Sequence, residues 1–178
     1  SGQCIFLKGG TLDRVNNTSM HKKYNVSHFS LSTRNTIAVY CKNDSGDKKS
    51  QQPSQVHIFK YPYLNKPTTS ITFQKADDVV MKWNTIGSAL LVHTTTSLDT
   101  SNSSYYGENR LYFMRSNGTY TNDIQLKKEG PILDVAWSPK INEFIVVYGF
   151  TPAKATLFNE SAQEIYDFGT GARNRVSW

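Results

Sequence analysis

The chain has 178 residues, 38% of them hydrophobic, with 9 Phe, 10 Tyr and 3 Trp. This apolar content is enough for a folded core, which excludes wholesale disorder, and no apolar run approaches the roughly 20 residues that a membrane-spanning helix needs. The formal net charge of +6 suits a phosphate-rich partner such as RNA or a ribosome, although charge of this size also serves solubility alone.

The first part of the chain alternates short β-branched and aromatic segments with polar turns, a pattern typical of strands. A polar stretch at Asn43–Ser54, containing Gly46 and Pro53, predicts an exposed loop within this set. The four predicted strands are Ser27–Ser32, Thr36–Lys42, Gln55–Tyr61 and Ser70–Gln74.

The same order of segments then recurs twice. A long polar loop at Ser97–Asn109 again separates a second strand from a third. The second set of predicted strands is Asp78–Asn84, Ser88–Thr95, Arg110–Arg115 and Tyr120–Leu126. The third set is Ile132–Ser138, Phe144–Tyr148, Ala155–Asn159 and Glu164–Phe168, and Val176–Trp178 is interpreted as the opening of a fourth.

Aromatic positions support a structural repeat. Trp83 and Trp137 hold equivalent first-strand positions 54 residues apart, Phe59 and Phe113 hold third-strand positions 54 apart, and Trp178 follows Trp137 by 41. Four strands recurring at this spacing predict blades of a β-propeller, with a β-sandwich as the alternative. Repeated Gly-His and Trp-Asp dipeptides are missing, so a WD-type propeller would be divergent.

We therefore predict an all-β fold: a β-propeller fragment of about three four-stranded WD40-like blades that belongs to a larger propeller. The expected boundaries are a linker or the end of a preceding blade at 1–23, blades at 24–77, 78–129 and 130–172, and the start of a further blade at 173–178. Uncovered end faces of such a fragment favour self-association.

No catalytic or metal-binding constellation is visible in the sequence. The histidines at 21, 28, 57 and 93 lack the HxxxH or HExxH spacing of metal ligands, and neither GxSxG nor GxxxxGK[ST] occurs. The glycines at Gly169–Gly171 are interpreted as a turn between blades. We expect no enzyme activity, no cofactor and no metal.

The basic residues come in pairs near predicted loops or strand ends. Because propeller loops gather on the two faces of the disc, these pairs could form a rim that faces phosphates, although unrelated solvated charges explain them equally well. Two loop tyrosines could stack on bases or pack against the protein itself. The candidate RNA or ribosome contacts are Lys22, Lys23, Lys48, Lys49, Tyr105, Tyr106, Lys127, Lys128, Arg173 and Arg175.

Cysteine use and glycosylation sequons point in opposite directions. Cys4 and Cys41 have no CxxC spacing, which favours a reduced intracellular compartment. Seven N-x-S/T sequons would suit a secreted glycoprotein, but such triplets arise by chance in a chain rich in Asn, Ser and Thr, and we prefer that interpretation. The sequons begin at Asn16, Asn17, Asn25, Asn43, Asn102, Asn117 and Asn159.

Several motifs of the third set resemble the eukaryotic translation initiation factor 2A family. They are Gly130–Trp137 (GPILDVAW), Glu143–Phe150 (EFIVVYGF), Pro152–Asn159 (PAKATLFN) and Asp167–Gly171 (DFGTG), with Ser104–Glu108 and Phe73–Asp77 similar to the preceding blade. The similarity runs in register from Val26 to Asn174. Departures are Ala172 where the family usually has Pro, Thr151 where it has Met, and the loop Ser97–Ser103.

The resemblance implies a cytoplasmic, non-catalytic initiation factor with a large propeller that binds the small ribosomal subunit and supports delivery of initiator methionyl-tRNA. It implies initiator tRNA, mRNA and other initiation factors as partners, and no membrane. The alternative is a general protein–protein interaction propeller whose RNA contacts are supplied by regions outside this chain.

Overall fold

The computed structural model describes residues 25–42, 53–73, 76–96 and 107–178, and this part of the chain folds into twelve β-strands without a helix. The strands form three four-stranded antiparallel sheets in chain order. The first contains β1 (Val26–Leu31), β2 (Thr36–Cys41), β3 (Ser54–Lys60) and β4 (Thr69–Phe73). The second contains β5 (Asp78–Trp83), β6 (Ala89–Thr95), β7 (Asn109–Arg115) and β8 (Thr121–Asp123). The third contains β9 (Ile132–Trp137), β10 (Phe144–Tyr148), β11 (Ala153–Phe158) and β12 (Glu164–Gly171).

The middle strands of each sheet are nearly continuous apolar runs because both of their faces are covered. In β2 (TIAVYC) and β10 (FIVVY) most side chains are buried, whereas in the outermost strand β12 most are exposed. A strand that packs on both faces needs β-branched and aromatic residues at every position, not only at alternate ones.

Two apolar cores join the three sheets face to face. Tyr40 and Ile58 of the first sheet pack in one core with Leu90 and Met114 of the second. The opposite face of the second sheet packs on the third, where the Phe113 ring stacks 6.2 Å from Phe144. The middle sheet is thus covered on both sides, as a propeller blade is, and the predicted propeller class is confirmed. The sheets are called blades one, two and three below.

Indole hydrogen bonds link the first strands of blades one and two and those of blades two and three. Trp83 Nε1 donates to the Ser30 carbonyl at 3.3 Å, and Trp137 Nε1 donates to the Lys82 carbonyl at 2.9 Å. Trp178 Nε1 makes the same bond to Ala136 at 3.2 Å. The acceptor is the residue directly before the preceding blade's tryptophan in the last two cases. Trp178 therefore makes the contact of a first-strand tryptophan.

The outermost strands differ from the sequence prediction. The glycines at 169 and 171 do not form a turn between blades, because β12 continues through Gly171. The pairing with β11 shifts between Lys154 and Thr156, and Gly169 has φ +72°, so the glycine accommodates a bulge inside the strand. Strand β8 ends at Asp123, although the Ile124 amide still donates to the Leu111 carbonyl at 2.8 Å.

Candidate nucleic-acid interface

The up-and-down order of strands divides the connections between two edges of the blades. We call upper edge the turns that join first to second and third to fourth strands: residues 32–35, 61–68, 84–88, 116–120, 138–143 and 159–163. We call lower edge the connections from second to third strands and from one blade to the next. Among described residues these are 124–131 and 149–152, the segment 172–175 after β12, and the residues that flank the described gaps.

Six of the ten sequence-predicted contact residues lie outside the described residues: Lys22, Lys23, Lys48, Lys49, Tyr105 and Tyr106. Two of the segments concerned leave and rejoin the described chain at the lower edge. One is flanked by Lys42 and Pro53, and the other by Thr96 and Gly107.

Lys127 lies against the outer strand of blade three, where an acidic side chain compensates its charge. Its Nζ is 2.7 Å from Glu164 Oε2. Beside it, Lys154 Nζ lies 2.9 Å from Asp167 Oδ2, and the Lys154 hydrogen bond is the main cause that lowers the pKa of Asp167 below its ordinary value. Lys127 thus belongs to a group of alternating charges along the two outer strands of blade three.

Lys128 ties the blade connection to the turn between β10 and β11. Its ammonium donates a hydrogen bond to the Pro152 carbonyl, and its methylene stem covers Gly149. A Cβ at Gly149 would lie 2.7 Å from Lys128 Cδ, so the lysine stem fills the space that the glycine leaves. This contact gives Lys128 a structural role within the lower edge.

Of the predicted contact residues, Arg173 and Arg175 have the cationic groups least engaged in contacts within the protein. Neither forms an ion pair within the described part of the chain. Arg173 Nη2 lies over Gly171, 2.7 Å from where a Cβ would stand, and Arg175 is exposed. The Val176 amide between this pair and Trp178 donates to Asp134 Oδ2 at 3.0 Å, which anchors the segment to blade three.

The upper edge carries an excess of positive charge that the sequence analysis missed. Three acidic side chains, Glu143, Glu160 and Glu164, accompany five cations in its turns and adjoining strand ends in the described residues. The five cations come from four turns and are never adjacent in the chain, so no basic pair marks them in the sequence. They are Arg34, Lys60, Lys66, Arg115 and Lys140.

Hydrogen bonds join the upper-edge turns of successive blades into a row. Thr33 Oγ1 donates to the Thr85 carbonyl at 3.2 Å, and Thr85 Oγ1 donates to the Ser138 carbonyl at 3.5 Å. Further out, Tyr120 Oη donates to the Ser161 carbonyl at 3.1 Å. Because each turn is held by the next, side chains on this edge stand on a rigid frame.

A cavity of about 310 Å³ opens at the upper edge between blades two and three. Its apolar lining is formed by Ile86, Ala89, Phe113 and Trp137. Its polar lining includes two guanidinium groups, three amides and one carboxylate, contributed by all three blades: Arg34, Arg115, Asn84, Asn117, Asn142 and Glu160.

A second cavity, of about 200 Å³, lies between the first strands of blades two and three. Lys82 and Asp134 line it, but Lys82 Nζ already donates to the Val135 carbonyl at 2.6 Å and lies 3.5 Å from Asp134 Oδ1. Burial would raise the pKa of Asp134. The amides of Val176 and Val135, and then Lys82, outweigh burial and hold it below its ordinary value. Lys82 and Asp134 therefore neutralise each other.

Within the described ranges, no group of three or more His, Cys, Asp or Glu side chains could hold a metal ion. Over the same residues, no helix is long and apolar enough to cross a membrane.

Residues 71–178 match the family model described as "Eukaryotic translation initiation factor eIF2A". The chain is 47% identical over 124 residues to eukaryotic translation initiation factor 2A of Drosophila melanogaster, covering 68% of this chain and 19% of that protein. It is 38% identical over 153 residues to the Schizosaccharomyces pombe protein of the same name, covering 85% and 26%. The chain thus spans about a fifth to a quarter of the relatives' length.

A solved structure titled "Crystal structure of the eukaryotic initiation factor" superposes on 84% of this chain and 34% of its own, with a TM-score of 0.68 and 32% sequence identity.

Proposed function

The chain belongs to the eukaryotic translation initiation factor eIF2A family, and from this premise we propose that it is a non-catalytic scaffold in translation initiation. In this proposal it works in the cytoplasm, contacts the small ribosomal subunit and supports delivery of initiator methionyl-tRNA. The match of residues 71–178 to the family model carries the proposal. Because the chain spans a small part of its relatives, the full activity draws on further parts of those proteins.

Within the chain, we assign the ribosomal RNA contact to Arg173 and Arg175 at the lower edge. A guanidinium without an internal ion pair can neutralise a phosphate without first breaking a contact in the protein. Lys127 and Lys128 contribute less, because an ion pair with Glu164 and a hydrogen bond to Pro152 already hold their ammonium groups. The proposal for Lys22, Lys23, Lys48, Lys49, Tyr105 and Tyr106 rests on their sequence positions alone.

Co-sedimentation of the full chain with purified small ribosomal subunits tests this assignment. The double variant Arg173→Glu/Arg175→Glu should lose most of the binding, whereas Lys66→Glu/Lys140→Glu, which changes the net charge equally on the opposite edge, should lose clearly less. Equal loss in both variants would show that overall charge, not the lower edge, governs binding. Unchanged binding of the Arg173→Glu/Arg175→Glu variant would refute the assignment.

The second candidate function is a protein-interaction propeller, with other initiation factors or a second copy of the chain as partner. Large apolar side chains on the end blades favour it. Phe29 is 59% exposed on blade one, paired with the buried Val39, and Tyr166 is 58% exposed on blade three, in edge-to-face contact with Phe168. Exposed apolar patches of this kind mark association surfaces.

Sedimentation velocity of the full chain over a range of concentrations tests the second candidate. Self-association should weaken in Phe29→Glu and in Tyr166→Glu, while Tyr63→Glu, which changes an equally large exposed side chain at the upper edge, should leave it unchanged. A chain that stays monomeric at every concentration would remove self-association and leave only a different protein as the partner.

A further inference from the structure

The upper-edge cavity combines features that recognise one nucleotide, and we infer that it binds an unpaired nucleotide of single-stranded RNA. The inference goes beyond the proposed subunit contact, because it concerns the opposite edge and a site assembled from three blades.

The size and lining of the cavity fit a nucleobase. About 310 Å³ is ample for one purine or pyrimidine but small for a folded element. Trp137, which is half-buried, supplies aromatic surface to the cavity, and the fully buried ring of Phe113 packs 6.2 Å from it at a tilted angle. Bases of any identity gain free energy by contact with aromatic rings, which is how sequence-tolerant single-strand sites hold RNA.

The indole of Trp137 is fixed in place before any ligand arrives. Its Nε1 donates to the Lys82 carbonyl at 2.9 Å, and its ring packs edge-on to Phe144 at 5.0 Å. A ring already held by the protein loses little conformational freedom on binding, which favours recognition by a preformed site.

Several hydrogen-bond donors that line the cavity are not used within the protein itself. The Arg34 guanidinium and the amide nitrogens of Asn117 and Asn142 have no hydrogen-bond partner among the described residues. The Asn142 oxygen instead accepts from Asn84 Nδ2 at 3.0 Å, which aims the side chain. Amide donors suit base-edge oxygens and nitrogens, and a guanidinium suits the phosphate.

The charge around the cavity favours RNA over an acidic peptide as ligand. Arg34 and Arg115 line it, while Lys60, Lys66 and Lys140 extend the positive edge beyond it. Glu160 is partly balanced, because Arg115 Nη2 lies 4.0 Å from its carboxylate and donates to its carbonyl at 3.3 Å. An extended positive edge tracks a repeating phosphate backbone better than a single carboxylate group.

Titration of the ¹⁵N-labelled full chain with single-stranded octauridylate tests the inference. The three tryptophans provide three indole resonances, which the variants Trp83→Phe, Trp137→Phe and Trp178→Phe assign. The Trp137 resonance should shift on titration, whereas that of Trp83, at the junction of blades one and two, should stay in place. A stationary Trp137 resonance at saturating RNA would overturn the inference.

Matched variants separate the cavity from general electrostatic attraction. Arg34→Glu should weaken octauridylate binding by about tenfold, the loss of one charged hydrogen bond, and Lys66→Glu clearly less. Asn142→Asp keeps the oxygen that Asn84 contacts but removes the free amide donor, and it should weaken binding as well. Equal effects of Arg34→Glu and Lys66→Glu would overturn the inference.

A parallel titration with an octaglutamate peptide tests the alternative that the cavity binds an acidic protein segment. If the peptide shifts the Trp137 resonance and octauridylate does not, the cavity belongs to an acidic protein segment and the RNA assignment is wrong. The subunit contact at Arg173 and Arg175 is measured independently, so either proposal can fail while the other stands.

Discussion

Asn84 is a buried amide at the upper edge. Replacing it should lower the stability of the fold, by an amount that depends on the residue introduced. Only 3% of the residue is exposed, and its side chain takes part in four hydrogen bonds. The oxygen accepts from the amides of Ser88 and Ala89 at 2.8 and 3.1 Å. The nitrogen donates to Ser88 Oγ at 2.9 Å and to Asn142 Oδ1 in blade three at 3.0 Å.

Asn84→Ala removes all four bonds and leaves two backbone amides in a buried turn without their acceptor. At about 1 kcal/mol for each bond, and somewhat more for the stranded amides, the free energy of unfolding should fall by about 3–4 kcal/mol. Asn84→Asp keeps an acceptor for both amides but loses the donated bonds and places a charge in a buried site, which the two amides and the Ser88 hydroxyl compensate in part. Its cost should therefore stay below that of Asn84→Ala, at about 2–3 kcal/mol.

Urea unfolding followed by tryptophan fluorescence measures both variants at neutral pH. The midpoint should fall further for Asn84→Ala than for Asn84→Asp, without a change in the slope of the transition. An Asn84→Ala variant within about 0.5 kcal/mol of the parent would refute the reasoning, because this result means that the accepted backbone bonds contribute little. An Asn84→Asp variant as unstable as Asn84→Ala would show that burial of the charge outweighs those bonds.

Three further predictions concern glycine strain, burial and the indole bonds. Gly118→Ala should lower the free energy of unfolding by about 1–3 kcal/mol more than Gly169→Ala, as measured by thermal unfolding. Both glycines have positive φ, but a Cβ at Gly118 would lie 2.6 Å from a backbone oxygen of blade one, whereas a Cβ at Gly169 would meet nothing within 4 Å. Equal losses of stability in the two variants would contradict this. Burial lowers the pKa of His57 below 6.5, so below that pH the unfolded chain takes up a proton that the folded one resists. The free energy of unfolding measured in urea should therefore fall from pH 7.5 to 5.5, and less so in His57→Gln; a parent chain more stable at pH 5.5 would contradict this. Trp137→Phe should lower the melting temperature by about 2–4 °C for the loss of a roughly 1 kcal/mol bond, and Trp178→Phe, at a half-exposed indole, by less; the reverse order would contradict this.

The sequence predicts the blades well because their information is local and periodic. Each predicted strand overlaps an observed one, and the equivalence of Trp83 and Trp137 appears in the structure as the same indole hydrogen bond. The errors fall in the outermost strands. There the partner is on one side only, so a glycine bulge at Gly169 or an early end at Asp123 costs little and leaves no clear pattern.

The candidate sites are harder to predict because they depend on contacts between blades. Lys127 and Lys128 stand out as a basic pair, but their partners, Glu164 and Pro152, belong to the next blade and cannot be read from the neighbouring sequence. Arg34 and Arg115 have no basic neighbour in the chain, and only the stacking of the blades brings both to one cavity.

The indole bonds also determine where the chain can change in length. They connect residues separated by 53, 55 and 42 positions, yet the contact is the same each time. The difference lies mainly in the connection between second and third strands, which runs from 42 to 53 in blade one, from 96 to 108 in blade two and only from 149 to 152 in blade three. A change in the length of this connection therefore leaves the indole bonds between neighbouring blades in place. Evolution, or a protein engineer, can therefore change the number of residues in the two longer connections. The short connection 149–152 is held by Lys128, and one residue added between β9 and β10 would disturb the row of upper-edge turns.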